Sequence, residues 1–333
     1  MRRAARIKAS LPETLFTAMK LMGGADSPMR VLVTGAAGFI GHHLCRKLLE
    51  RGFEVWGLDD LSRGDRARVR RLEELGMRFR RADVRAEAEV EEVLRESRPD
   101  AVIHLAALIS VPESFEKPSL YMSVNAEGTE ILVSAANRLG VGKLIYASSA
   151  AVYGNPIRLP IDEDHPLDPI SPYGRSKLLG EEHVLRGFRG RASIALRIFN
   201  VYGPGQSPEY AGVIVKFVER LRKNEPPIIF GDGEQTRDFI HVHDVAEAFT
   251  QALTSDLHGA HALNIASGKP IKIRELAELM IRLRRLSLKP VHAAPRPGDI
   301  KHSYADISKA RKLLGWSPKT MLEEGLRKLL ESR

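Results

Sequence analysis

The run Val31-Leu32-Val33-Thr34 passes directly into Gly35-Ala36-Ala37-Gly38-Phe39-Ile40-Gly41, and no other stretch restricts the fold as much. A short apolar run that turns through glycines at every third position into an amphipathic stretch reads as a buried strand, a tight turn and a helix. Gly35 permits the turn, Gly38 lets the backbone approach a diphosphate, and Gly41 allows close packing of helix on sheet. The helix opening at Phe39 and Ile40 presents free N–H groups and a positive dipole end to that diphosphate. A lone glycine motif is weak, but a strand before it and a helix after it supply the confirming context.

The strand–helix alternation continues. Glu54 to Leu58, Arg78 to Arg81, Ala101 to Leu105, Lys143 to Ser148, Ser193 to Arg197 and Ala262 to Ile265 read as further strands with helices between them. Nearly continuous apolar strands separated by helices predict an α/β fold: a Rossmann-type doubly wound parallel sheet covered on both faces. Ligands of such sheets lie at the carboxyl ends of the strands. After Phe199 the sequence becomes rich in turns, with Val201 to Gln206 (VYGPGQ), Pro226-Pro227 and Gly231-Asp232-Gly233, and helices are expected near Gly212 to Arg222, Ile273 to Leu286 and Ile307 to Leu314. The expected organisation is an N-terminal extension over 1–28, a cofactor domain over 29–199 with returning segments near 237–266, and a smaller mixed α/β substrate lobe over most of 200–333.

The 333 residues are enough for both units, and no span approaches the ~20 apolar residues of a transmembrane helix, so a soluble protein is expected. The single cysteine, Cys45, excludes an internal disulfide and a multi-thiolate zinc site, and fits a buried helix position in a reducing compartment. The net charge of +9 raises nucleic acid as a partner, but the basic residues are interleaved with acids along Glu87 to Arg98 and Arg274 to Arg285, so no nucleic-acid partner is expected. The eleven histidines show no metal spacing; His241 and His243 lack a third ligand, and no metal is predicted. Residues 1–28 are Arg-rich but carry no signal-peptide core, and Met29 reads as the natural start.

Asp59 ends the second strand, 18 residues after Gly41, where its carboxylate can accept the hydroxyls of an adenine ribose and repel a 2′-phosphate. NAD is therefore favoured over NADP, with Arg63 the one residue that could argue otherwise. Asp60 reads as a cap of the following turn.

Tyr173-Gly174-Arg175-Ser176-Lys177 places a phenol and an ammonium four apart on one helix face, where the lysine would favour the ionised phenol and make it a base near neutral pH. With Ser148-Ser149-Ala150-Ala151-Val152-Tyr153-Gly154 before it and the glycine turn at the start, the chain resembles the extended short-chain dehydrogenase/reductase superfamily, in its nucleotide-sugar epimerase/dehydratase branch. The resemblance runs from about Met29 to the C-terminus. It implies Ser149, Tyr173 and Lys177 as catalytic residues, with Lys177 binding the nicotinamide ribose and lowering the Tyr173 pKa. It also implies that Asp83 and Val84 flank the adenine, that Leu105, Ala106 and Ala107 line the pyrophosphate and ribose, that Asn125 sits beneath the nicotinamide side, and that Ser148 and Phe199 complete the cofactor site.

Relatives that dehydrate or decarboxylate a 4-keto sugar resemble this chain but carry an acidic residue at position 151, where this chain has Ala151. The resemblance therefore implies 4-epimerisation of a UDP-hexose, with a decarboxylase or dehydratase, or a non-catalytic NAD- or RNA-binding relative, as alternatives. The last class usually loses the tyrosine or lysine, and both are present. Asn200, Val213, Phe230, Arg237, Arg296 and Asp299 match segments that hold the nucleoside diphosphate, which two guanidinium groups suit. Ser303 falls where the family sets a gate beside the sugar C2 substituent, and a small residue there would admit N-acetylated sugars. The resemblance further implies a cytoplasmic homodimer built through the helices near Ser119 to Leu139 and Tyr173 to Arg186.

Overall fold

A computed structural model describes residues 27–207, 212–295 and 300–331. Arg296 and Asp299 lie outside the described residues, as does most of the N-terminal extension. Strands β1 (Arg30–Thr34), β2 (Glu54–Asp59), β3 (Arg78–Arg81), β4 (Ala101–His104), β5 (Lys143–Ser149), β6 (Ala192–Ile198) and β10 (Gly259–Ile265) form one sheet in the order β10-β6-β5-β4-β1-β2-β3, and every pairing in it is parallel. The doubly wound sheet expected from the apolar runs is thus present. Its strands are apolar on both faces because each face is covered: Val31 and Val33 enter one core while Leu32, between them, enters the other. Cys45 is buried in the first of these cores, where burial pushes its thiol pKa up.

The edges of the sheet explain where the sequence pattern blurs. Strand β3 carries Arg78, Arg80 and Arg81, whose charge discourages pairing with another chain, and β10 starts three residues before its apolar run because Gly259 and Ala260 lie exposed at the rim.

Helices α1 (Phe39–Glu50), α2 (Arg66–Glu74), α3 (Glu87–Ser97), α4 (Val111–Glu116), α5 (Pro118–Met122), α6 (Gly128–Arg138) and α7 (Pro172–Glu182) connect these strands. Between α5 and α6 the helix widens into a π-helical turn at Ser123–Glu127, and a second one, His183–Gly187, follows α7. Such a turn inserts one residue into the helical ladder and re-aims the side chains around it.

The second lobe contains β7 (Asn200–Tyr202), α8 (Val213–Arg222), β8 (Ile228–Phe230), β9 (Thr236–His241), β11 (Pro270–Lys272), α10 (Ile273–Leu283), β12 (Val291–Ala293), β13 (His302–Ser303), α11 (Ser308–Leu314) and α12 (Leu322–Glu331). Strand β9 is its centre and pairs with β7, β11 and β13. The chain returns to the large layer at α9 (Val242–Thr254), which packs on α1, and at β10; residues 237–241 pair in the small sheet instead. Asp238 is fully buried there and accepts hydrogen bonds from the N–H groups of Ser267, Gly268 and Ala305, so one carboxylate ties β9 to two distant segments.

Candidate active site

A cavity of about 500 Å³ opens at the carboxyl ends of the large sheet. Gly35, Gly38, Phe39, Ile40, Gly41, Asp59, Asp60, Arg63, Asp83, Val84, Leu105, Ala106, Ala107, Ser148, Tyr173, Lys177 and Phe199, all assigned to a cofactor from the sequence, line it. Gly35 has φ +69°, and a Cβ there would meet the Ala106 nitrogen at 2.7 Å. A Cβ at Gly41 would strike the Gly35 carbonyl oxygen at 2.0 Å, so this third glycine accommodates the turn itself.

Buried Asp59 fastens the same turn: its Oδ2 accepts the Ala37 N–H at 3.0 Å and its Oδ1 the Leu61 N–H at 2.9 Å, which leaves one lone-pair direction on each oxygen for ribose hydroxyls. Burial pushes its carboxyl pKa up. Asp60 caps the next turn through the Ser62 N–H and hydroxyl. Arg63 pairs with Glu113 at 2.5 Å and holds that carboxyl down at about 2. Its engagement there weakens the one sequence argument for a 2′-phosphate. The glycine cradle and the two-sided carboxylate fit NAD.

Asn125 departs from its expected place. It does not line the cavity; it lies 1 % exposed in the first π-helical turn, where its amide accepts the Leu108 N–H and donates to the Leu108 carbonyl and the Ser176 hydroxyl at 2.8, 2.9 and 3.0 Å. With its hydrogen bonds spent on protein, it clamps the loop after β4 to α7. Below it runs a chain of hydrogen bonds between residues far apart in the chain. The Thr129 hydroxyl donates to the Asn125 carbonyl, so it accepts from His104 Nε2, and His104 Nδ1 then accepts from the Thr34 hydroxyl at 2.6 Å. Thr34 in turn accepts the N–H groups of Leu105 and Ala106. Burial holds His104 neutral, with its pKa down at about 3.

Ser149 and Tyr173 converge at the end of β5. The Ser149 hydroxyl accepts the Ala151 N–H at 3.2 Å and stands near enough to the Tyr173 phenol to act on its acidity. Their approach depends on Gly174: a Cβ there would lie 2.6 Å from the Ala151 carbonyl oxygen and 3.0 Å from Pro169 Cβ. Ser171 caps α7 by accepting the Gly174 N–H at 3.0 Å.

One electrostatic expectation changes. The Lys177 ammonium lies over the ring of Tyr146, 4.1 Å from its centroid, and the Tyr173 phenol is pushed up by burial, with only the Ser149 hydroxyl acting downward. Loss of hydration is the dominant cause in this arrangement. Burial also pulls Lys177 down to about 7, against the attraction of Glu181. The Ser148 hydroxyl, which also borders the cavity, donates to Glu181 at 2.5 Å.

A second cavity, of about 350 Å³, lies in the small lobe and is lined by Asn200, Val213, Phe230 and Arg237 as expected, and also by Gln206 and Lys216, which the sequence reading missed. Lys216 follows Val213 by three residues and so shares its helix face, a signal that was available. Val201 and Gln206 border both cavities, so the two adjoin. Ser303 pairs with Arg237 across β13 and β9 and does not line this cavity. Arg237 and Lys216 make it cationic, suited to a diphosphate. Among the described residues no His, Cys, Asp and Glu cluster could hold a metal.

The family model described as the NAD dependent epimerase/dehydratase family matches residues 31–266. The UDP-glucose 4-epimerase of Mycolicibacterium smegmatis is 39% identical over 308 residues, which cover 91% of this chain and 98% of that protein. The UDP-glucose 4-epimerase of Thermotoga maritima, solved with UDP-glucose, superposes with a TM-score of 0.85 at 36% identity, covering 91% of this chain and 98% of that one. The UDP-N-acetylglucosamine 4-epimerase of Methanobrevibacter ruminantium M1, solved with UDP-N-acetylmuramic acid, gives 0.83 at 35% identity, covering 92% and 98%.

Proposed function

The chain belongs to the NAD-dependent epimerase/dehydratase family, and from that premise we propose that it is an NAD-dependent 4-epimerase of UDP-hexoses, acting on UDP-glucose and UDP-galactose and also on their N-acetylated forms. Bound NAD supplies a reversible hydride acceptor at the sugar C4. Tyr173 takes the proton of the C4 hydroxyl, Ser149 bridges the developing carbonyl oxygen and the phenol, and Lys177 holds the nicotinamide ribose. The neutral 4-keto sugar then turns over within the site, and Tyr173 returns the proton after reduction on the opposite face. The observation that carries the choice of reaction is position 151. The turn beside Tyr173 offers only an alanine side chain and a backbone N–H to Ser149, so no added acid stands ready to expel water or carbon dioxide.

The cationic second cavity, with Arg237 and Lys216, supports a nucleoside diphosphate there; acceptance of the N-acetylated sugars rests on the small side chain of Ser303 and is tested by Ser303→Tyr. A two-part organisation, with 200–333 mainly the substrate lobe, is supported by the division between the seven-stranded sheet, to which β10 returns, and the two smaller sheets. A homodimer is part of this reading: the end of α6 is tied to the π-helical turn after α7 by the Asn137 amide, which donates to the Gly187 carbonyl, so the two helices can be presented together to a second copy. A cytoplasmic location rests on the single, buried cysteine. The test is to incubate the protein with UDP-glucose, UDP-galactose and their N-acetyl forms and to separate the products; interconversion of each pair is expected, and a dehydrated or pentose product would overturn the choice of reaction.

A further inference from the structure

Beneath the catalytic residues lies a buried ionic group. Glu181 stands one turn beyond Lys177 on α7 and is 2 % exposed. Its Oε2 accepts the Ser148 hydroxyl at 2.5 Å, and its Oε1 accepts Arg197 Nη2 at 2.6 Å. Arg197, on β6, donates onward to the Tyr153 phenol and the Glu163 carbonyl, both at 3.0 Å, and Tyr153 donates to Asn264 at 2.6 Å. One carboxylate therefore joins the strand end that carries Ser149, the neighbouring strand and the helix that carries Tyr173 and Lys177.

We propose that Glu181 is a positioning residue for the reaction: it keeps Lys177 in its ammonium form and fixes the end of β5 through Ser148. This rests on the epimerase reading for what Lys177 does, but not for whether Glu181 controls its charge. The groups facing the Lys177 ammonium are the Tyr146 ring from β5, Tyr173 and Glu181 from its own helix, and neutral His104 from β4. Among the described residues Glu181 is the one anion that acts on it, and Arg197 is paired with that anion. Take away the charge of Glu181 and two buried cations remain without a counter-ion. Arginine does not release its proton in proteins, so the lysine releases instead. The ammonium that would donate to the ribose hydroxyls is then lost at working pH, whereas the shape of the site is kept.

The experiment compares wild type with Glu181→Gln, which preserves volume and hydrogen-bonding capacity, and measures NAD affinity by calorimetry from pH 6 to 9, with epimerisation rates alongside. The variant's affinity and rate are expected to approach wild type at pH 6. They should fall off on the alkaline side about one pH unit or more earlier, a roughly tenfold weaker NAD affinity by pH 8. Glu181→Asp, which keeps the charge, should restore the wild-type profile. A profile of Glu181→Gln that is lowered evenly at every pH, or not lowered at all, would overturn the proposal, since packing alone would not depend on pH. If Glu181→Gln does not fold, the paired variant Glu181→Gln with Arg197→Gln removes the unpaired buried arginine, still leaves Lys177 without a counter-ion, and must show an alkaline shift of the same sign. Wild-type NAD binding without sugar epimerisation would remove the function reading and leave this test intact.

Discussion

Gly174→Ala separates activity from stability more sharply than any change to a reacting group. The added Cβ would lie 2.6 Å from the Ala151 carbonyl oxygen, about 0.8 Å inside the distance at which ordinary contact begins, and 3.0 Å from Pro169 Cβ. Both neighbours are held, the first by the turn that Ser149 caps and the second by the approach to the Ser171 cap. The N-terminal turn of α7 must therefore move away, carrying Tyr173 from Ser149. Overpacking costs ~1–3 kcal/mol, while alanine returns up to ~1 kcal/mol of helix propensity, so the melting temperature should fall by only a few degrees. A displacement approaching 1 Å at a reacting pair costs about 10²-fold in rate, or roughly 2.7 kcal/mol of barrier. The assay is a coupled measurement of UDP-galactose conversion beside thermal melting and NAD titration. A folded, NAD-binding variant with kcat within about twofold of wild type would refute the argument that Gly174 sets the distance between Tyr173 and Ser149.

Further outcomes follow from the same geometry. Tyr173→Phe should lower turnover by at least ~10³-fold while NAD still binds, because the ring packs as before and the base is gone; near-normal epimerisation would remove Tyr173 from its role. Ser303→Tyr should abolish conversion of the N-acetylated sugars and spare UDP-galactose, and equal loss of both would remove the gate at that position. Stability should fall as the pH drops below 6.5: His104, His42 and His241 have folded-state values of about 3, 4 and 4, all below the unfolded value, so the unfolded chain binds more protons in that window. Fully buried His104 alone contributes ~1.4 kcal/mol per pH unit, and denaturant midpoints unchanged between pH 6.5 and 4.5 would contradict this. Lys143 caps α9 by donating to the carbonyls of Ala252, Leu253 and Ser255, and burial lowers it to about 8. Stability should therefore rise from pH 8 towards 10, and Lys143→Met should flatten that rise.

The inner strands of the parallel sheet were legible because they repeat one physical condition, burial on both faces, which leaves apolar runs that end within a residue or two of the true strands. The glycine turn, Asp59 and the Tyr173–Lys177 spacing were legible because each function depends on neighbours close in sequence. What escaped depends on partners far along the chain. Nothing near Asn125 announces that its amide will be spent on Leu108 and Ser176, and nothing near Ser148 announces Glu181, 33 residues on. The upward shift of the Tyr173 phenol was likewise hidden, since spacing shows that a lysine is near but not how dry the site is.

The wall shared by the two cavities has a consequence for exchange. Val201 and Gln206 face both, and the chain between them is held from the large layer: His43 hydrogen-bonds to the Pro204 carbonyl at 2.9 Å, and Arg68 donates to that of Gly205. A ligand in either cavity would meet the same short strap, and filling one would then lower the freedom of the strap at the other. Affinities linked in this way must be reciprocal: whatever a nucleotide sugar does to the escape of the dinucleotide, the dinucleotide does to the hold on the sugar. A protein that must regenerate its oxidant in every cycle gains from such a link, because an intermediate stranded by departure of its redox partner would end the cycle half complete.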